Sequence, residues 1–152
     1  MIREIRAKDF EGLSRLIHEV YSENPKAMKF SSMPTESELK VLLDYKLALL
    51  GRGEAVDYVA IDGGRVVAEC DVAIGNRSTI GIIIERSMRR KGLGRALLDR
   101  ALKRAKGLGA NSVIAEIHED NAPALKFFSN NSFSYIGDKS GGERIMLLRK
   151  ML

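Results

Sequence analysis

The 152-residue chain is 45% hydrophobic and 30% charged, which fits one folded domain and excludes a disordered or collagen-like polymer. Its net charge of +5 suits an anionic ligand, yet the cations are interleaved with acids and aromatics are only 6% with no Trp, which argues against a nucleic-acid binder. One cysteine allows no internal disulfide, no apolar run approaches the ~20 residues that cross a bilayer, and the N-terminus is unlike a signal peptide, so a cytoplasmic chain with no membrane partner is expected.

Residues 2–6 alternate as a short strand, and Asp9 suits the cap of a helix that places Phe10, Leu13, Leu16, Ile17 and Val20 on one face. The stretch SENPKAMKFSSMP, with two prolines, reads as a loop, and Met28, Phe30 and Met33 in it suit either an apolar pocket or the packed underside of that loop. Thr35 and Glu38 then form a capping-box pattern before Leu39, Leu42, Leu43, Leu47 and Leu50, and Gly51-Arg52-Gly53 closes this second helix. AVDYVAI, RVVAECDVAI and STIGIII, separated by turns at 62–64 and near Gly75, read as an antiparallel meander. Cys70 falls in its apolar part and is expected to be a reduced core thiol.

RRKGLG follows the third of these strands and opens an amphipathic helix carrying Leu93, Ala96, Leu97, Ala101 and Ala105, which Gly107 and Gly109 stop. NSVIAEIHE is a further strand, APALKFFSN a short helix, and FSYIGDK and ERIMLLRKM a final hairpin. The order β-α-α-β-β-β-α-β-α-β-β implies an α/β fold with a mixed sheet, because the crossover helix requires one parallel pair. The terminal strand is a candidate edge for a homodimer.

Glycines at 92 and 94 let an anion approach the backbone, and the helix that starts there offers unpaired N–H groups and the positive end of its dipole. Arg89, Arg90, Lys91 and Arg95 add charge; a tight turn with a solvated basic face is the plainer reading. A Walker loop is ruled out by its required spacing, and Leu97 stands where the dinucleotide fingerprint needs a third glycine.

Arg89-x-x-Gly92-x-Gly94, with Asn121, Ala124 and Phe133 in register downstream, resembles the acyl-CoA loop and following segments of the GNAT superfamily of N-acetyltransferases, over roughly a third of the chain. The resemblance implies a mixed, mostly antiparallel sheet of about seven strands, with about four helices on its faces, in a single domain over residues 1–152. It implies acetyl-CoA as co-substrate, an amine acceptor and no metal. Backbone groups of Ile82, Ile83 and Ile84 would pair with the pantetheine arm, and the amides of Arg90, Lys91, Gly92, Leu93, Gly94 and Arg95 would hold the pyrophosphate. Asn121 matches an asparagine beside the cofactor, and equally suits a helix N-cap.

Acyl transfer to an amine needs a neutral nucleophile, oxyanion stabilisation and a proton for the leaving thiolate. Glu116 stands in a register that resembles the general base of the branch acetylating ribosomal-protein N-termini; Glu85 is a second candidate. Glu69 and Asp71 share one strand face and suit a cationic acceptor, or are simply solvated, and His118 suits a relay or a surface position. Phe128 occupies the place of the family's proton-donating tyrosine, and Ser132 replaces a glycine. Phe128 is counted with the cofactor residues, although with Phe127 it also suits the core. The thiolate leaving without a side-chain acid is the favoured account; Tyr135 or water as donor, and a non-catalytic acyl-CoA-binding module, are the alternatives.

Overall fold

The computed structural model describes residues 1–152. Seven strands, β1 (Ile2–Glu4), β2 (Ala55–Asp62), β3 (Arg65–Ala73), β4 (Thr79–Ile84), β5 (Ser112–His118), β6 (Ser134–Lys139) and β7 (Ile145–Met151), form one sheet in the order β1-β2-β3-β4-β5-β7-β6. Only β4 and β5 run parallel, as the crossover through a helix demands. The four helices are α1 (Phe10–Glu23), α2 (Glu36–Gly51), α3 (Leu93–Gly107) and α4 (Ala122–Asn130), so the expected mixed α/β architecture holds. None of them is long and apolar enough to cross a membrane.

Strand alternation sorts the side chains into two cores. Val56, Ala60, Ala68, Cys70, Val72, Ile80, Val113, Ala115 and Leu148 pack on one face with Leu97, Leu98, Ala101 and Ala105 of α3. Val59 and Val66 on the other face meet Leu13, Leu16, Ile17 and Val20 of α1 and Leu39 and Leu43 of α2. Cys70 is accordingly a buried thiol, pushed well above its ordinary range by burial and by the carboxylates of Asp71, Asp57 and Glu69. Met28 and Phe30 lie on the α1–α2 core, whereas Met33 is exposed.

Local signals set most boundaries. The Thr35 hydroxyl accepts from the Glu38 N–H at 3.1 Å, and the Glu38 carboxylate accepts from the Thr35 N–H at 3.1 Å, closing the capping box of α2. Asp9 precedes α1 as expected but does not cap it. Its carboxylate takes two hydrogen bonds from the Arg3 guanidinium, at 2.7 and 2.8 Å, and one from the Arg6 N–H at 2.8 Å. The charge-assisted bidentate pairing with Arg3 holds both oxygens away from the first N–H groups of α1.

The terminal strand is a second departure from expectation. β7 inserts between β5 and β6, because the hairpin folds back against β5, so β6 is the sheet edge and β7 has no free side for a partner.

Ser132 holds φ +70°, where a side chain costs about 1–2 kcal/mol. Here the turn after α4 must bring the Phe133 N–H onto the Phe128 carbonyl at 3.0 Å. Replacing the exposed serine by glycine (Ser132→Gly) removes that cost but adds about 0.4–1 kcal/mol of unfolded-state freedom. The expected net gain is about 0.5–1 kcal/mol, read in thermal unfolding as a Tm rise of roughly 2 °C; a lower Tm would contradict it.

Candidate active site

β4 and β5 pair at only two positions, Thr79 with Ile114 and Ile80 with Ala115, and then diverge. The next step of that register would set Gly81 opposite Glu116. Residues 81–84 of β4 thus keep β3 on one side and have no strand on the other. At the C-terminal end of this opening the chain enters α3 through the loop at 89–92. None of the amides of residues 90–95 donates to a protein acceptor, the first bond of α3 being Ala96 N–H to the Gly92 carbonyl at 3.1 Å. An unfilled strand edge leading to a run of free N–H groups fits an extended polar arm ending in an anion.

The two glycines of the loop act differently. Gly92 sits at φ +80° with open space around it, so it serves the left-handed turn into the helix. Gly94 is buried, and a Cβ there would come within 2.9 Å of both Ile84 Cδ1 and Phe127 Cε1. Its role is close packing of α3 on β4 and α4 rather than access for an anion, which corrects the sequence expectation. Arg90 also adopts φ +61°.

The basic side chains divide as well. Arg89 is turned away from the amides: its Nε donates to the Ile84 carbonyl at 2.9 Å and its guanidinium pairs with Glu23 at 2.5 Å. That contact already occupies one of the backbone groups expected to pair with a cofactor. Arg90, Lys91 and Arg95 are exposed and make no ion pair within the chain, so they supply the free positive charge at this end.

Asn121 caps α4, its side-chain oxygen accepting from the Ala124 N–H at 3.4 Å. Phe128 is only 3% exposed and stacks edge-on against Phe127 and Phe133, at centroid distances of 5.3 and 4.9 Å. It is therefore a core residue and not a wall of the opening, because the α4 face that carries it packs inward on the sheet. Tyr135 lies on β6, two strands beyond β5 and so about 10 Å from it. Its hydroxyl donates to Asp138 at 2.8 Å, and the ring shares the face of Leu148 and Ala115 rather than that of Glu116. The opening receives no tyrosine from either position.

Glu116 and His118 do share the α1–α2 face. The Glu116 side chain, 12% exposed, is held by Lys139 at 2.9 Å and Lys29 at 3.3 Å. Partial burial raises its carboxyl, but the two lysines outweigh that and keep it below the ordinary carboxylate value. His118 is buried, contrary to a surface reading. Its Nδ1 accepts from the Asp120 N–H at 3.0 Å, which puts the ring proton on Nε2, 3.2 Å from Glu143. Glu85 is buried under Arg15 and Arg65, at 2.9 and 2.7 Å, and accepts from the Ser87 hydroxyl at 2.9 Å. Burial raises its carboxyl, and those donors pull it below its ordinary value, which are the surroundings of a structural anion.

A group that sequence reading noticed only in part lies on the same face. Asp57 on β2, Glu69 and Asp71 on β3 and Lys46 on α2 converge. Lys46 Nζ contacts Glu69 closely and lies 3.2 Å from Asp57 Oδ2 and 3.3 Å from Asp71 Oδ2. Asp57 is 1% exposed, and neither of its oxygens nor Glu69 Oε2 receives a hydrogen bond. Burial first, then the neighbouring carboxylates, push the Asp57 carboxyl well up. Glu69 is raised by burial against the pull of Lys46. For Lys46, burial lowers the ammonium value but the three acids raise it further, so it stays charged. The available signal was an acid at an inward position of an apolar strand, Asp57 in AVDYVAI; Lys46 gave none.

The profile of the Acetyltransferase (GNAT) family matches residues 17–133, and the chain belongs to that family. A provisionally assigned phosphinothricin acetyltransferase of Bacillus subtilis, YwnH, is 37% identical over 65 residues, a stretch that spans 43% of this chain and 40% of that protein. The solved ribosomal-protein-alanine N-acetyltransferase of Brucella melitensis superposes with a TM-score of 0.84 at 19% identity, covering 100% of this chain and 99% of that one. A phosphinothricin acetyltransferase of Sinorhizobium meliloti, solved in complex with acetyl-CoA, gives 0.82 at 20% identity over 100% of this chain and 88% of that one. At these identities the structural likeness is one of fold.

The ion pairs of Glu85 yield a prediction. A carboxyl depressed in the folded state stabilises above its unfolded value of about 4.3, and that contribution is lost as pH falls through the lower folded value. Glu85→Gln is expected to cost about 1–3 kcal/mol at pH 7 by urea unfolding. The difference from the unaltered chain should begin to shrink below about pH 4.3 and vanish as pH falls past the lower folded value; a difference that stays constant down to acid unfolding would contradict the assignment.

Proposed function

We propose that residues 1–152 form one catalytic unit that transfers acetyl from acetyl-CoA to a primary amine by direct attack within a ternary complex. The observation that carries this is the early parting of β4 from β5, joined to the unpaired amides of residues 90–95. Acetyl-CoA supplies an activated thioester. In this reading the free edge of Ile82, Ile83 and Ile84 aligns its arm, with the Ile84 carbonyl kept by Arg89. The amides from Arg90 to Arg95, with Lys91 and Arg95 alongside, hold the pyrophosphate. A β4 N–H polarises the acyl oxygen. Asn121 stands at the α4 end of the opening, beside the arm. Family membership and the acetyl-CoA held by the Sinorhizobium neighbour support the co-substrate.

The thiolate leaves without a tyrosine, since Phe128 is in the core and Tyr135 is remote. A thiol with an ordinary value near about 8.5 is a fair leaving group unaided. The same observation favours a second reading, a module that binds acetyl-CoA without turnover. Steady-state CoA release with a panel of amines separates the two. We place the protein in the cytoplasm, and a homodimer would join through the β6 edge.

The loop assignment is tested by Lys91→Glu with Arg95→Glu, both exposed positions. Acetyl-CoA affinity, by calorimetry at low salt, should fall by about 30-fold or more, with the loss shrinking as salt screens the phosphates. An unchanged Kd would overturn the assignment.

A further inference from the structure

We propose that Asp71 receives the acceptor's ammonium group and takes its proton, so that the acceptor is an aliphatic primary amine arriving as a cation. This rests on the acyl-transfer reading above and names the acceptor chemistry within it.

Three independent placements lead to Asp71. A Cβ built on Gly81 would lie 3.0 Å from Asp71 Oδ1, so this carboxylate rests over the Gly81 backbone. Gly81 is the first β4 residue beyond the last pair with β5, which is the inner end of the opening. An arm whose pyrophosphate lies at the start of α3 and which follows β4 inward brings its thioester to that end.

The second placement is electrostatic. Three carboxylates share one lysine; the buried Asp57 Oδ1 and Glu69 Oε2 have no donor, and Asp57 Oδ2 has only the Lys46 ammonium at 3.2 Å. Such a group draws a further cation or a proton. Lys46 holds Asp71 by Oδ2, leaving Oδ1 on the Gly81 side, and Asp71 is the one member open to solvent, at 41%. The charged groups facing it are Lys46 from α2, Asp57 from β2 and Glu69 from β3. On this face β4 contributes Thr79, Gly81 and Ile83, none of them charged, and Glu116 stands across the gap on β5.

The third is the state of the competing carboxylates. Glu116 is tied to two lysines and Glu85 to two arginines, so an incoming ammonium would have to displace both partners of either. At Asp71 it displaces none from Oδ1.

In the step itself, one ammonium N–H proton passes to Asp71 Oδ1 and frees the nitrogen lone pair. That pair attacks the thioester carbon, so C–N forms and C–S breaks. Sulfur leaves with the bonding electrons and takes a second proton from the acylated nitrogen, giving amide and thiol. The proton on Asp71 passes to water as the products leave.

The test is Asp71→Asn, a same-size change at a half-open position. CoA release is followed from pH 6 to 10 with butylamine, 1,4-diaminobutane and alaninamide, and with 4-methoxyaniline, which is already neutral at pH 7. The expected result is a kcat/KM loss of about 100-fold for the alkyl amines at pH 7. That loss should shrink toward pH 10, where the medium supplies free amine. Less than a threefold change is expected for 4-methoxyaniline and for the acetyl-CoA Kd. Retained activity, or an equal loss for every amine at every pH, would overturn the proposal and leave acyl transfer standing. Acetyl-CoA binding without turnover of any amine by the unaltered chain would sink both; so would failure to bind acetyl-CoA, which strikes the loop assignment first.

Discussion

The site is built on a strand that stops pairing. β4 and β5 share two residue pairs and then part, which leaves one edge of residues 81–84 without a neighbour in the middle of an otherwise continuous sheet. Backbone polar groups seldom stay unmatched inside a fold, so this gap suits a ligand with amide-like groups. Its mouth is set by α3, whose first turn follows Gly92 and whose approach to β4 is so close that Gly94 has no room for a side chain. Packing of α3 and α4 therefore fixes both the direction of the opening and the position of the free amides.

Charge is distributed to keep that geometry. Arg89 braces the end of β4 through the Ile84 carbonyl and ties it to Glu23 at the end of α1. Glu85 fastens the next residue to Arg15 of α1 and Arg65 of β3. Arg90, Lys91 and Arg95 make no ion pair and lie exposed around the unpaired N–H groups.

The opposite arrangement governs the interior of the α1–α2 face. There Lys46, Asp57, Glu69 and Asp71 put one positive and three acidic groups on the α1–α2 face, two of the acids almost fully buried. Burying carboxylates with unmet oxygens opposes folding, and apolar residues would serve the core better. Features of that kind tend to be kept where chemistry needs them, beside a reactive position. In the role proposed for Asp71, that position is the inner end of the β4–β5 opening, which this carboxylate overhangs at Gly81.

The sequence by itself determined the element order, the crossover before β5 and the loop at Gly92, because periodicity, capping pairs and glycines act within a few residues of chain. It also marked Cys70 as core and Phe128 as a break in the family pattern, both visible one residue at a time. Only the tertiary structure decided which partner each polar group found. Asp9 took Arg3 instead of a helix end, Arg89 took Glu23 instead of the free amides, and β7 moved inside the sheet. Tyr135 and Glu116, both candidates from chain position, came to opposite faces, since a bulge between Tyr135 and Gly137 shifts the register of β6. The convergence of Lys46 with Asp57, Glu69 and Asp71 spans α2, β2 and β3, and no local pattern links Lys46 to acids 11 to 25 positions away. Contacts of that range are set by how the helices pack on the sheet, which is a property of the folded chain alone.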